Sequence, residues 1–247
     1  MFEYLGESPE IFYHYTSEVY DPNTELGQQR IKRIASRVAQ LVDIERIEPK
    51  RALDVGCNMG VSSFALESLG FEVVGIDVVD EFVQKAVENA ERRGSSAKFQ
   101  TMDIRKTSFR DEEFGFVAFI SNPLPHFSIE MLNEVLAETN RILAPQGVVY
   151  LEYADWIGFV FDGDYKDVLV ESHATSFHVK FDMLRGSFIR EYIDFTNGKR
   201  FRLELFLWSP WIVEFLLKTN KFSEIKTTRA DRSKHGYVTV AKKLTEL

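Results

Sequence analysis

The chain has 247 residues, 45% hydrophobic and 28% charged, with a formal net charge of −8. That composition is globular and excludes a disordered or fibrous chain, and the length fits one α/β domain with an insertion. The acidic balance, with Lys and Arg scattered among acids, argues against a duplex-binding protein, which needs a basic patch to displace counterions. Residues up to Tyr20 are aromatic-rich and irregular. Asp21-Pro22 predicts a helix cap with Pro at the first helical position. Ile31, Ile34, Val38, Leu41 and Val42 follow at helical spacing.

From Arg51 strands and helices alternate. Residues 52–55 read as a strand ending in a glycine loop, and residues 61–69 as a helix closed by Gly70. Residues 71–77 make a second strand. Asp80 is expected to cap a helix with Phe82, Val83, Ala86, Val87 and Ala90 on one face and Gly94 at its end. Residues 98–102 read as a third strand. Residues 114–121 read as a fourth, almost wholly apolar, as a strand covered on both faces should be. Ser128 caps a helix carrying Leu132, Val135, Leu136 and Ile142, and Pro145-Gln146-Gly147 turns into a fifth strand at 148–153. Alternating βα units predict a doubly wound parallel α/β sheet.

Residues 155–208 break the alternation. Phe177, Val179, Phe181 and Met183 alternate with polar residues, Arg185-Gly186 marks a turn, residues 187–194 form a second strand, and Asn197-Gly198 is a hairpin signal. Phe201, Leu203, Leu205 and Leu207 alternate again, so this stretch predicts an inserted antiparallel meander. Ser209-Pro210 then caps a helix, and strands follow near 222–228 and 236–241.

The chemistry concentrates at the strand ends. In Leu53-Asp54-Val55-Gly56-Cys57-Asn58-Met59-Gly60 the glycines allow a sharp turn and close approach of a ligand. Asp77 ends the second strand, 23 residues after Asp54, where a carboxylate can accept both ribose hydroxyls of an adenosine. A dinucleotide enzyme would carry G-x-G-x-x-G to seat a pyrophosphate. Here Asp54 stands two residues before Gly56. That carboxylate would repel a pyrophosphate and welcome an ammonium group, directly or through water, which favours S-adenosylmethionine over NAD.

These motifs resemble those of the class I methyltransferases, over most of the chain. Leu53 to Gly60 looks like their first motif, with Asp54, Gly56, Asn58 and Gly60 at the methionine end. Gly75-Ile76-Asp77 looks like the second, with Asp77 and the adjacent Val78 at the ribose. Met102-Asp103-Ile104 looks like the third, where the resemblance implies that Asp103 meets the adenine amino group. The segment from Arg141 to Gly147 is similar to the helix and turn before their fifth strand, and Gly236 to Lys242 to their antiparallel last strand. The implied fold is a seven-stranded Rossmann-like sheet with an antiparallel insertion as a lid. Asn122-Pro123-Leu124-Pro125-His126-Phe127 is similar to a segment of glycine N-methyltransferase-like enzymes. Tyr13-x-x-x-Ser17-x-x-Tyr20-Asp21 resembles their lead-in, which folds over the cofactor and brings Tyr13 and Tyr20 to it. Asn58 and Gln146 depart from the glycines usual in the family.

The resemblance divides the chain into an N-terminal cap segment and helix at 1–50, a cofactor-binding domain at 51–154 and 209–247, and a substrate lid at 155–208. It implies S-adenosylmethionine as cofactor, S-adenosylhomocysteine as product and a small molecule as methyl acceptor, with Asn122 near the sulfonium. His126 is the candidate catalytic base, against the plain alternative of a loop histidine. Asn122-Pro123 also opens like the N-P-P-[YF] motif of nucleic-acid amino methyltransferases, but Leu124 and Pro125 replace the second Pro and the aromatic that stacks a flipped base. Two other readings stay open: a non-catalytic S-adenosylmethionine-binding regulator, and an NAD-dependent oxidoreductase.

Cys57 is the single cysteine, which excludes an internal disulfide and suits the cytoplasm. None of the histidines has zinc-site spacing, so no metal is expected. The opening MFEYLGESPEIF lacks the regions of a signal peptide, and no run of about 18 apolar residues could span a membrane. The oligomeric state is left between monomer and homodimer.

Overall fold

The computed structural model describes residues 20–170, 174–195, 198–230 and 234–244. Tyr13 and Ser17 of the lead-in lie outside the described residues, as do Asn197 and two of the histidines, His14 and His173.

Helix α1 (Glu25–Leu41) precedes the sheet and buries Ile31, Ile34 and Val38. Its cap is Thr24 rather than Asp21-Pro22: Thr24 Oγ1 accepts the Gly27 N–H at 3.0 Å. Asp21 instead opens the preceding turn, its carbonyl accepting the Thr24 N–H at 3.2 Å.

In chain order the strands are β1 (Arg51–Val55), β2 (Glu72–Asp77), β3 (Lys98–Thr101), β4 (Phe114–Phe119) and β5 (Leu143–Ala154). A separate sheet follows, of β6 (Val168–Val170), β7 (Ala174–Asp182), β8 (Ser187–Asp194) and β9 (Arg200–Phe206). The chain then returns with β10 (Phe222–Arg229) and β11 (Gly236–Lys243). The main sheet has seven strands in the order β10-β11-β5-β4-β1-β2-β3. Its neighbours pair in parallel except at β11, which runs antiparallel to both β5 and β10. This is the Rossmann-like architecture that the motifs imply. β6 to β9 form an antiparallel meander in sequence order.

Helices α2 (Val61–Glu67), α3 (Asp80–Arg93), α4 (Ile129–Ile142) and α6 (Pro210–Thr219) complete the layers, with a short α5 (Trp156–Phe161) at the root of the insertion. One apolar core packs β4 and β5 against α4 and α6 around Phe119, Leu132, Leu136, Leu151 and Leu217. The other packs the sheet against α1 and α2 around Val38, Phe64, Leu66, Phe116 and Tyr150. All six residues of β4 are buried, as its apolar sequence requires.

Four further sequence expectations are corrected. Asp80 is the first residue of α3 and not its cap; its carboxylate instead accepts from Gln84 Nε2 at 2.6 Å and Thr101 Oγ1 at 2.7 Å. β3 and β4 stop at Thr101 and Phe119, before the residues that turn over the sheet edge. β5 starts at Leu143, so Pro145-Gln146-Gly147 is an irregularity inside the strand: the register slips from Phe114↔Leu143 to Phe116↔Val148, with Gln146 at φ 61°. The insertion holds α5 and β6 in addition to the three expected strands.

Candidate functional site

The loop from Gly56 to Gly60 crosses the C-terminal end of β1. Gly56 (φ 73°), Asn58 (φ 49°) and Gly60 (φ 97°) all take left-handed backbones, which glycine enters freely and asparagine tolerates. The N–H groups of Gly56 and Cys57 donate to the Ile76 carbonyl at 2.8 and 3.0 Å. The Asn58 N–H donates to Asp77 Oδ2 at 3.0 Å, and the Val79 N–H to Asp77 Oδ1 at 3.1 Å. The glycine loop and the end of β2 are therefore one hydrogen-bonded unit. Burial raises the Asp77 pKa, against the pull of the Val79, Asn58 and Val78 N–H groups. Val78 is half-buried beside it.

Asp54 lies fully buried beneath the loop. Its Oδ2 accepts from Ser62 Oγ and Ser63 Oγ, both at 2.6 Å, from the first turn of α2. Its Oδ1 is buried with no hydrogen-bond partner. Burial pushes the Asp54 pKa up to about 6, against the two serine bonds.

At the next strand end the Met102 N–H donates to the Asp77 carbonyl at 2.9 Å, and Ile104 is buried. Asp103 takes a fork from Arg105: Nε reaches its two oxygens at 3.1 and 2.9 Å and a terminal nitrogen reaches Oδ2 at 2.5 Å. Burial works to raise the Asp103 pKa, but the bonds and charge of Arg105 outweigh it and hold the pKa below its ordinary value.

The turn after β4 carries Ser121 and Asn122, both left-handed at φ 73° and 65°. The Asn122 side chain turns toward β5, where Oδ1 accepts the Ala154 N–H at 2.9 Å. Arg30 of α1 donates to Ser121 Oγ at 2.9 Å and stacks over the Tyr20 ring at 4.2 Å, so Tyr20 sits at the β4 end of the crevice. Arg37 pairs with Glu152 at 2.5 Å on the neighbouring strand. The sequence reading missed both arginines, which their helical spacing alone does not distinguish from a solvated face. The two loops lie close: a Cβ added to Gly56 would meet Pro123 Cβ at 3.8 Å.

His126 ends the one-turn 3-10 helix Leu124–His126. Burial pushes its pKa down to about 4, so the ring is neutral at pH 7. The Leu124 carbonyl in that turn accepts the Trp208 indole N–H at 2.7 Å. The other described histidines lie elsewhere. His178 Nδ1 pairs with the Tyr165 hydroxyl at 2.7 Å, inside the insertion. His235 Nε2 pairs with Asp164 Oδ2 at 2.7 Å. Asp162 completes that group, and the Lys234 ammonium, 3.0 and 2.9 Å from the two acids, supplies its cation.

Asp54, Gly56, Asn58, Gly60, Asp77, Val78, Met102, Asp103 and Ile104 thus lie along the C-terminal ends of β1, β2 and β3, with Tyr20 and Asn122 at the end of β4. His126 stands on the turn that follows. No helix among the described residues is long and apolar enough to cross a membrane.

Residues 52–147 match a family profile described as a methyltransferase domain. A glycine/sarcosine N-methyltransferase from Aphanothece halophytica is 32% identical over 109 residues, 43% of this chain and 41% of that protein. An 18S rRNA (guanine-N(7))-methyltransferase from Schizosaccharomyces pombe is 36% identical over 87 residues, 35% of this chain and 31% of that one. The chain spans about two fifths or less of the length of these curated relatives. Among solved structures, the PH0226 protein from Pyrococcus horikoshii OT3 is similar with a TM-score of 0.75 at 27% identity, covering 95% of this chain and 99% of that one. With the strand order and the motif residues placed as described, residues 52–147 form a methyltransferase domain of the class I, Rossmann-like S-adenosylmethionine-dependent kind.

Proposed function

We propose that the protein transfers the methyl group of S-adenosylmethionine to a nucleophilic N, O or C atom of a small molecule. The observation that carries this reading is the bond from Asn58 to Asp77 above an Asp54 oxygen that is buried and unpartnered. An unsatisfied buried acceptor costs roughly 1–3 kcal/mol, which an ammonium group or the water beneath it would relieve. The left-handed turn at Gly56, where a Cβ would meet only Pro123 Cβ at 3.8 Å, would take the methionine end, and Gly60 and Asn58 shape that turn. Asp77 would hold the ribose, and Val78, Met102 and Ile104 would flank the adenine. Asp103 would take the adenine amino group on an oxygen shared with Arg105. Arg30 and Tyr20 would close the β4 side, Arg30 as a positive charge for a carboxylate. Asn122 would face the sulfonium with its backbone, since its side chain is bound to Ala154.

The cofactor supplies an activated methyl group on a sulfonium. The chain supplies alignment and exclusion of water. With a pKa of about 4, His126 is too weak a base to hold a proton taken from an acceptor near pH 7, so its part is to orient the acceptor through a neutral imidazole. Residues 155–208 would act as the lid over the acceptor and residues 1–50 as the cap over the cofactor. The net charge of −8 supports a small acceptor over an rRNA one. The lone buried Cys57 fits a reducing cytoplasm.

Calorimetry with S-adenosylmethionine and NAD, followed by detection of S-adenosylhomocysteine over a panel of small acceptors, tests the proposal. Binding of S-adenosylmethionine with turnover supports it. Binding without turnover on any acceptor favours a non-catalytic regulator, and binding of NAD alone overturns the cofactor.

A further inference from the structure

A cleft of about 920 Å³ opens between the insertion and the N-terminal ends of α4 and α6. One wall is the β7–β8 turn, where a polar sequence would be usual. Instead Met183 and Leu184 project there, 76% and 101% exposed. The facing wall is Phe161 at the end of α5, Trp211 in the first turn of α6 and Ile129 at the start of α4. Phe161 and Trp211 are 85% and 68% exposed. Segments far apart in sequence thus converge with large apolar side chains in water, which marks a binding surface. The volume falls within the roughly 300–1,000 Å³ of small-molecule sites, and the lining is apolar with few polar groups, as in such sites. Arg185 is one of these polar groups, held by a fork to Glu204 at 2.9 and 3.1 Å.

The cleft adjoins the turn that carries His126. Ser128, two residues on, lines it, and so does Trp208, whose indole holds the Leu124 carbonyl. β9 also packs on that turn.

We propose that this cleft receives the apolar body of the methyl acceptor, and that the acceptor is an aromatic or branched aliphatic molecule larger than a simple amino acid. This rests on the methyl-transfer reading above. The acceptor's apolar part lies among Met183, Leu184, Phe161 and Trp211, and its nucleophile reaches past Ser128 toward His126. An anionic substituent would meet Arg185. A compact acceptor such as glycine would leave the apolar walls wet.

The test uses the full chain with anilinonaphthalene sulfonate, an aromatic anion, as the probe. Its fluorescence should rise saturably at a single site per chain. Leu184→Asp and Trp211→Ala should each weaken that binding at least tenfold and leave the melting temperature and the affinity for S-adenosylmethionine unchanged. Both side chains are exposed, so neither substitution opens a hole in a core. Turnover is then compared between matched acceptors, methylamine against benzylamine and glycine against N-benzylglycine, beside sarcosine. Turnover favouring the benzyl members and reduced by the two substitutions supports the proposal. The absence of saturable probe binding, or binding indifferent to both substitutions, overturns it. So does turnover confined to glycine and sarcosine and untouched by the substitutions. A dimer that Leu184→Asp disperses, with no probe site in either form, gives the face to a second copy of the chain and also overturns it. If S-adenosylmethionine fails to bind at all, the methyl-transfer reading falls, while the probe titration still reports on the cleft by itself.

Discussion

Asp77 Oδ2 accepts the main-chain N–H of Asn58 at 3.0 Å, so the acid at the end of β2 also holds the glycine loop after β1. Asp77→Ala removes a ribose acceptor and a tether together. S-adenosylmethionine affinity should fall by about 1.5–3 kcal/mol, the scale of hydrogen bonds to a charged group. The melting temperature should fall with it, because the N–H groups of Asn58 and Val79 lose their acceptor. Calorimetry and thermal denaturation check this, and unchanged affinity would remove Asp77 from the site.

Asp54 sets stability against binding. Its pKa stands at about 6 in the fold, above its ordinary 3.8, so ionisation of this group opposes folding at neutral pH. That penalty is full above about pH 6, shrinks as the pH falls below it and is gone below the ordinary 3.8. Cofactor affinity should move the other way, since an ammonium group needs the ionised carboxylate. Asp54→Asn should therefore hold or raise the melting temperature at pH 7. It should also weaken S-adenosylmethionine about tenfold, or about 1.4 kcal/mol, and flatten the pH dependence of binding between about pH 5 and 7. Affinity that tracks pH equally in both proteins would refute the assignment.

The motifs and their placement on strand ends were legible because they are local: the glycine loop and Asp77 each close a short apolar run, and Asp103 follows a short strand. Ser128 as a cap was legible for the same reason, its hydroxyl accepting the Met131 N–H at 3.2 Å. The partners of these residues were less visible. Arg30 meets Ser121 across 91 positions and Arg37 meets Glu152 across 115, and no periodicity encodes such pairs. Ser62 and Ser63 were nearer to hand: two hydroxyls in the first turn after a strand-end acid can reach back to it, and their adjacency was the signal. Helix α5 escaped because Trp156–Phe161 is apolar on all sides, although Asp155 caps it by accepting the Gly158 N–H at 2.8 Å.

His126 should matter to the rate without titrating in the usual range. Its neutral form persists down to about pH 4, so the pH–rate profile should show no inflection from it near the ordinary histidine value. His126→Ala should lower kcat by about 10- to 100-fold, the scale on which misplacing a reacting group slows a reaction. His126→Gln should recover part of that loss, because an amide can also donate and accept. Steady-state kinetics beside a melting curve separates this from a structural role, in which activity would follow the folded fraction.

Trp208→Phe deletes the indole donor to Leu124 and leaves part of a fully buried ring's space empty. The Leu124 carbonyl keeps the Phe127 N–H at 2.9 Å, so losing the indole bond should cost about 0.5–1.5 kcal/mol, with the cavity adding to it, read as a lower melting temperature. Since Leu124 shares a turn with His126, turnover should fall further than the unfolded fraction explains. A variant with wild-type stability and rate would show that the bond is incidental.

Gln146 bears a left-handed backbone at φ 61° within β5. Such a residue pays roughly 1–2 kcal/mol that glycine avoids. Gln146→Gly should stabilise the protein by about 1 kcal/mol, net of the extra freedom glycine brings to the unfolded chain. Chemical denaturation measures it directly, and a destabilised variant would show that the glutamine side chain outweighs the backbone.

The insertion is fastened at both places where it leaves the main sheet. The Asp155 N–H donates to the His235 carbonyl at 2.7 Å at its entrance, and Trp208 donates to Leu124 at its exit. A flap anchored on two sides cannot swing as a door does about one hinge. As the proposed lid, the insertion would then admit small molecules by bending of the β7–β8 tip around Gly186, a glycine with a left-handed backbone and open space where a side chain would stand. Such bending belongs to the nanosecond-to-microsecond range of loop motion and not to the slower range of domain rotation, so the passage of small molecules need not set the pace of a reaction cycle.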